Sequence, residues 1–159
     1  MTPAADDGPA HQAAAGPFRR ILVAWDGSAD AVAALRTAAA MAGDGRSHVV
    51  ALSVLSGAAP RESGSAAGAG QSEHARRAEL AFEAARATIA RSSPARLTLH
   101  MIESPHIAGS VCAYAADHGF DLLVVGRHGD GGLVHPKLGH IAESAVRACS
   151  IPVLLVSAG

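Results

Sequence analysis

The chain has 159 residues, of which 49% are hydrophobic, 17% charged and only 3% aromatic, with 13 Lys and Arg against 14 Asp and Glu. That is enough for one domain with a real core, too little for two of ordinary size, and too apolar for a fully disordered chain. A formal charge of −1 without a long basic tract speaks against nucleic acid as a partner, and no apolar run is long enough to span a bilayer; a soluble cytoplasmic protein with no membrane partner is expected.

Residues 1–17, MTPAADDGPAHQAAAGP, are rich in Ala, Pro and Gly, show no apolar period and read as a flexible N-terminal leader. A single domain is expected over 18–159. Its first buried strand is the apolar run Ile21-Leu22-Val23-Ala24-Trp25. Asp26-Gly27-Ser28 makes a sharp turn, with Ser28 placed to cap a helix that carries Val32, Leu35, Ala39 and Ala42 at helical spacing. Gly43-Asp44-Gly45 stops that helix, and His48 to Leu55 is the second strand.

Residues 56–72 are dense in Gly, Ser, Ala and Pro and read as an exposed, flexible loop. From Glu73 to Ser92, Ala75, Ala78, Phe82, Ala85 and Ile89 share one helical face, and Glu79 and Glu83 fall on solvated sides. Arg96 to Ile102 alternates as a third strand, on which His100 is a partly exposed side chain rather than a ligand. Glu103-Ser104-Pro105 makes a turn into a helix marked by Ile107, Val111, Tyr114 and Ala115.

Phe120 to Val125 is the fourth strand, and its carboxyl end opens into a loop containing Gly126, Gly129, Gly131 and Gly132. A last helix begins near Gly139 and packs through Ala142, Ala145 and Cys149. Pro152 then resets the chain into the strand Val153 to Val156. Five strands alternating with four helices predict an open, mostly parallel sheet with helices on both faces. In such a sheet Asp26, after strand one, and Gly126, after strand four, can share a cleft at the strands' carboxyl edge.

The glycine-rich loop can bring backbone N–H groups close to an anion, and the amino end of the last helix adds a favourable field. Arg127 and Lys137 would bring positive charge, joined by His128 and His140 if protonated. A Walker loop is absent, because Leu138 follows Lys137, and no G-x-G-x-x-G opens the first turn. His128, Asp130, His135 and His140 crowd one region without a metal-ligand spacing, so no metal site is expected. No G-x-S-x-G elbow or assignable triad marks a hydrolase. Cys112 and Cys149 sit in helical patterns and read as packing groups, with nothing in their spacing to support a disulfide.

Taken together, ILVAWDGS and LLVVGRHGDGGLVHPKLGHIAESAVRACSIPVLLV resemble the universal stress protein family over about Phe18 to Ser157. The distinctive element is Gly126-x2-Gly129-x9-Gly139. The resemblance implies an adenine-nucleotide-alpha-hydrolase-like fold, commonly assembled as a homodimer, here through the terminal strand. It further implies that Asp26 and Val54 lie beside ribose and base, and that Gly126, Gly129 and Gly139 approach the ribose and phosphates, with Arg127 and His140 completing the nucleotide site. The family's nucleotide binders carry Ser or Thr after the last glycine, where this chain has His140.

The expected function is a stress-associated adenine-nucleotide-binding regulator that takes ATP or ADP, with Mg²⁺ accompanying the nucleotide, and turns it over little. A nucleotide-free dimeric interaction module and a weak ATPase are the alternatives. No residue is assigned a catalytic role.

Overall fold

The computed structural model describes residues 17–43, 45–57, 67–129 and 137–159, with backbone only for 67–72. The elements run β1 (Arg20–Ala24), α1 (Ala29–Ala42), β2 (His48–Ser56), α2 (Ala67–Ile89), β3 (Arg96–Ser104), α3 (Ile107–Asp117), β4 (Leu122–Gly126), α4 (His140–Ala148) and β5 (Val153–Val156). All strand pairings are parallel and the order is β3-β2-β1-β4-β5, so the expected five-stranded α/β sheet is observed.

β1 lies at the centre of the sheet because its residues can be buried from both sides: Ile21, Leu22 and Val23 are fully enclosed. Alternate residues serve opposite layers. Ile21, Val23 and Trp25 join Leu35, Phe82 and Ile89 of α1 and α2 on one face. Leu22 and Ala24 join Val111, Ala115, Ala142 and Ala145 of α3 and α4 on the other. Each fully buried Leu or Ile contributes about 1.5–3 kcal/mol relative to exposure, so this two-sided filling is what holds the layers together.

Small residues set the spacing of the helices. Ala31, Ala34, Ala38, Ala39 and Ala42 turn inward from α1, letting its backbone lie close to the sheet. Asp121, just ahead of β4, accepts the Arg19 and Arg20 N–H groups at 2.8 and 3.1 Å and ties the entrances of β1 and β4 together.

Three local expectations change. α2 begins at Ala67, inside the span read as loop, because two glycines in AGAGQS interrupt the apolar period without preventing helical backbone. β3 continues through Glu103 and Ser104, pairing them with Leu55 and Ser56 where a turn was expected. Cys112 and Cys149 are joined in a disulfide, with Cα atoms 5.1 Å apart, because α3 and α4 pack side by side on one face of the sheet. Residues 1–16, which make up most of the expected leader, and residues 58–66 of the expected loop lie outside the described residues.

Candidate functional site

The first wall of the site is a turn built from its own side chains. Asp26 follows β1, and its Oδ1 accepts the Ser28 N–H at 2.9 Å while Gly27 takes φ 78°. Ser28 Oγ then accepts the Ala31 N–H at 3.2 Å, capping α1 as its sequence position predicts. An exposed carboxylate is thereby held at the carboxyl edge of the central strand.

The second wall is the exit of β4, where backbone passes backbone. A Cβ on Gly126 would stand 2.8 Å from Asp30 Cβ and 2.9 Å from the Asp30 carbonyl carbon, so only glycine lets β4 leave the sheet beside α1. Beyond it, the Arg127 N–H donates to Val156 O at 2.7 Å, and the Arg127 carbonyl accepts the Gly139 N–H at 2.8 Å. Both described ends of the loop are therefore tied to one residue. A Cβ on Gly139 would meet that same carbonyl oxygen at 3.2 Å.

The third wall is the amino end of α4. Gly139 is its N-cap and makes no side-chain cap bond; the first helical hydrogen bond runs from the Glu143 N–H to Gly139 O at 2.9 Å. The N–H groups of His140, Ile141 and Ala142 thus precede the internal ladder, at the positive end of the helix. His140 is exposed, with Nδ1 3.5 Å from Ser144 Oγ.

These walls enclose a cleft of about 430 Å³, within the usual size of small-ligand sites. Asp26, Gly126, Gly129, Gly139 and His140 all line it, as do His128 and Lys137. It lies between the carboxyl ends of β1 and β4, where the chain's progress across the sheet reverses. Gly129 comes so near Asp26 that a Cβ there would sit 2.9 Å from Oδ2.

Two expected residues stand apart from the cleft wall. Val54 is on β2, on the other side of β1 from the cleft, half-buried against the α3/α4 core. The Arg127 side chain is exposed, and its backbone rather than its guanidinium organises the loop. Trp25 contributes to the lining but is only 3% exposed; its Nε1–H donates to Ala78 O at 3.0 Å and its ring meets Phe82 edge-on. It closes the core beneath the cleft.

Asp30 is the residue that sequence reasoning missed. Its Oδ2 accepts the His128 N–H at 2.9 Å and lies 3.2 Å from His128 Nδ1, while Oδ1 accepts the Ala158 N–H at 2.7 Å. Burial pushes its carboxyl up, but the N–H groups of Ala158 and His128 and the His128 ring outweigh burial and hold it below its ordinary value. Only its place in a helix's first turn was readable, since its partners are far along the chain.

Among the described residues no group of three or more His, Cys, Asp or Glu could hold a metal, and no helix is long and apolar enough to cross a membrane. Asp130 and His135 lie outside the described residues.

Several solved structures share this architecture. Universal stress protein UspA from Lactobacillus plantarum has 25% identity and a TM-score of 0.69, over 87% of this chain and 97% of its own. A universal stress protein in complex with cAMP has 18% identity and a TM-score of 0.68, over 89% and 99%. The universal stress protein from Archaeoglobus fulgidus in complex with dAMP has 17% identity and a TM-score of 0.62, over 87% and 97%. No similar sequence was found among curated proteins. The model of the universal stress protein family matches residues 17–157, and the chain belongs to that family.

Proposed function

We propose that this protein is a stress-associated regulator that binds ATP or ADP in the β1/β4 cleft and turns it over little. The observation that carries the reading is the convergence of Asp26, the glycines of the β4 loop and the amino end of α4 on one cleft. An exposed carboxylate suits ribose hydroxyls, and the leading N–H groups of a helix suit phosphate oxygens. Family members solved with cAMP and dAMP support an adenine nucleotide as the ligand class. The same reading places the chain in the adenine-nucleotide-alpha-hydrolase-like class.

Within this reading, Gly126, Gly129, Gly139 and His140 flank the sugar and phosphates. Mg²⁺ would arrive with the phosphates, and Asp26 is the acidic side chain on the described cleft wall that could face it. Val54, on the adjacent β2, would lie beside the base, and Arg127 would shape the loop through its backbone. Low turnover is part of this reading, in which no residue is assigned a catalytic role.

β5 is an edge strand whose residues are all half-buried, which supports a homodimer formed along it. A second reading, a dimeric interaction module that binds no nucleotide, is favoured by His140, which stands where the family's nucleotide binders carry a hydroxyl. Titration calorimetry of the purified protein with ATP and ADP separates the two readings. Binding below millimolar concentration supports the first, and no heat of binding at millimolar nucleotide overturns it. Native mass spectrometry reports retained nucleotide and subunit number in the same measurement.

A further inference from the structure

The disulfide between Cys112 and Cys149 joins α3 to the carboxyl end of α4, the helix whose amino end walls the cleft. Besides that bond, α4 is held by packing against α3 and the sheet through Ala142, Ala145 and the half-buried Ile141. It is nine residues long, its N-cap makes no side-chain bond, and its fully buried side chains are Ala142 and Ala145. Val146 points outward at 56% exposure, and the Glu143–Arg147 pair on its surface is solvated. A helix this short is marginal without tertiary anchorage.

The closed loop of sequence separation 37 contains β4, the glycine-rich segment and α4, so it encloses two of the three walls of the cleft. Neither cysteine is fully buried, and the Cα separation of 5.1 Å is one that a disulfide or two adjacent thiols can occupy. From this geometry we infer that Cys112 and Cys149 are a reversible thiol–disulfide pair whose oxidation state sets how firmly α4 is held against the cleft.

The exchange partner is a dithiol. Its thiolate attacks one protein sulfur, the S–S bond breaks as a mixed disulfide forms, and the other protein sulfur leaves as a thiolate that takes a proton. The reductant's second thiol then displaces the first sulfur. Two electrons and two protons end on the protein, and the reductant leaves as its own disulfide. An oxidised dithiol reverses each step.

In the reduced protein α4 keeps its alanine packing but loses its covalent anchor, so opening of α4 becomes easier while the sheet stays closed. The consequence for nucleotide rests on the reading proposed above; the consequence for α4 does not.

The test equilibrates the full chain in mixtures of reduced and oxidised dithiothreitol, traps thiols with a maleimide, and follows amide hydrogen exchange. Two thiols are expected to appear together under native conditions. Exchange across 143–148 should rise at least tenfold, with β1 and β4 unchanged, and the double variant C112S/C149S should reproduce the reduced pattern. Thiols that appear only on denaturation overturn the inference. So does equal α4 exchange in both forms, or loss of protection in β1 on reduction, which would make the bond a staple of the whole domain. ATP is titrated into both forms, with at least threefold weaker binding expected after reduction. Equal affinity overturns the coupling to the cleft. Binding to neither form defeats the nucleotide reading alone, and the exchange data still decide the inference.

Discussion

Asp30 in the first turn of α1 and His128 in the loop after β4 are joined twice, through the His128 N–H at 2.9 Å and Nδ1 at 3.2 Å. The carboxylate's other oxygen receives the Ala158 N–H beyond β5. One side chain therefore braces the cleft loop and the tail of the edge strand against α1. With only 12% of the Asp30 side chain exposed, water cannot replace it freely.

D30A is expected to cost about 1–3 kcal/mol, because two backbone donors lose their partner. The folded carboxyl is depressed, so its contribution is complete above the unfolded value of about 3.9 and is lost as pH falls through the lower folded value. Urea unfolding of wild type and D30N across that range should show the wild-type advantage shrinking on acidification. A gap independent of pH would remove the carboxylate from the brace.

Gly126 and Gly109 make a paired test of close approach. On Gly126 a Cβ meets Asp30 backbone at 2.9 Å, whereas on Gly109, within α3, it meets nothing within 4 Å. G126A should destabilise by about 1–3 kcal/mol as β4 is pushed from α1. G109A should stabilise by about 0.5–1 kcal/mol through helix propensity. Thermal melts of both proteins check the opposite signs, and a neutral G126A would show that the β4 exit yields.

His48 opens β2, with Nε2 2.8 Å from Thr98 Oγ1 on β3. Burial first, then the positive fields of Arg96 and Arg20 and the neighbouring His100, lower its pKa. The folded state thus favours the neutral ring, and its stability contribution is present above the unfolded value of about 6.5 and fades as pH falls through the folded one. The stability difference between wild type and H48Q should narrow as pH drops below about 6.5. A difference that widens would reverse the assigned sign.

The fold was readable because it is written in local periods. Ile21 to Ala24 and Leu122 to Val125 are continuous apolar runs of the kind a doubly covered strand uses, and Ser28 caps α1 from a position fixed by its neighbours. Asp26 and the glycines meet at one cleft because topology places the ends of β1 and β4 together. What could not be read depends on pairs distant in sequence. Asp30 with His128, and Cys112 with Cys149, leave no period in the chain. Val54 was placed by resemblance, while the side of β1 on which the cleft opens is decided by strand order.

His140 is the sharpest test of the cleft. It is the first residue of α4 and lines the space beside Gly139, so its backbone N–H is retained at the helix's positive end while its ring replaces a compact hydroxyl. Serine there adds a donor of the right reach and frees volume at the cleft mouth. If phosphates sit at this end, H140S should tighten ATP binding by the worth of one hydrogen bond, about 0.5–1.5 kcal/mol, or roughly two- to twelvefold in Kd. The ring is exposed, so thermal stability should change by less than about 0.5 kcal/mol. Calorimetry on both proteins at one pH and salt concentration decides it. Unchanged affinity would place the phosphates away from α4, and weaker binding would make the histidine itself a ligand contact.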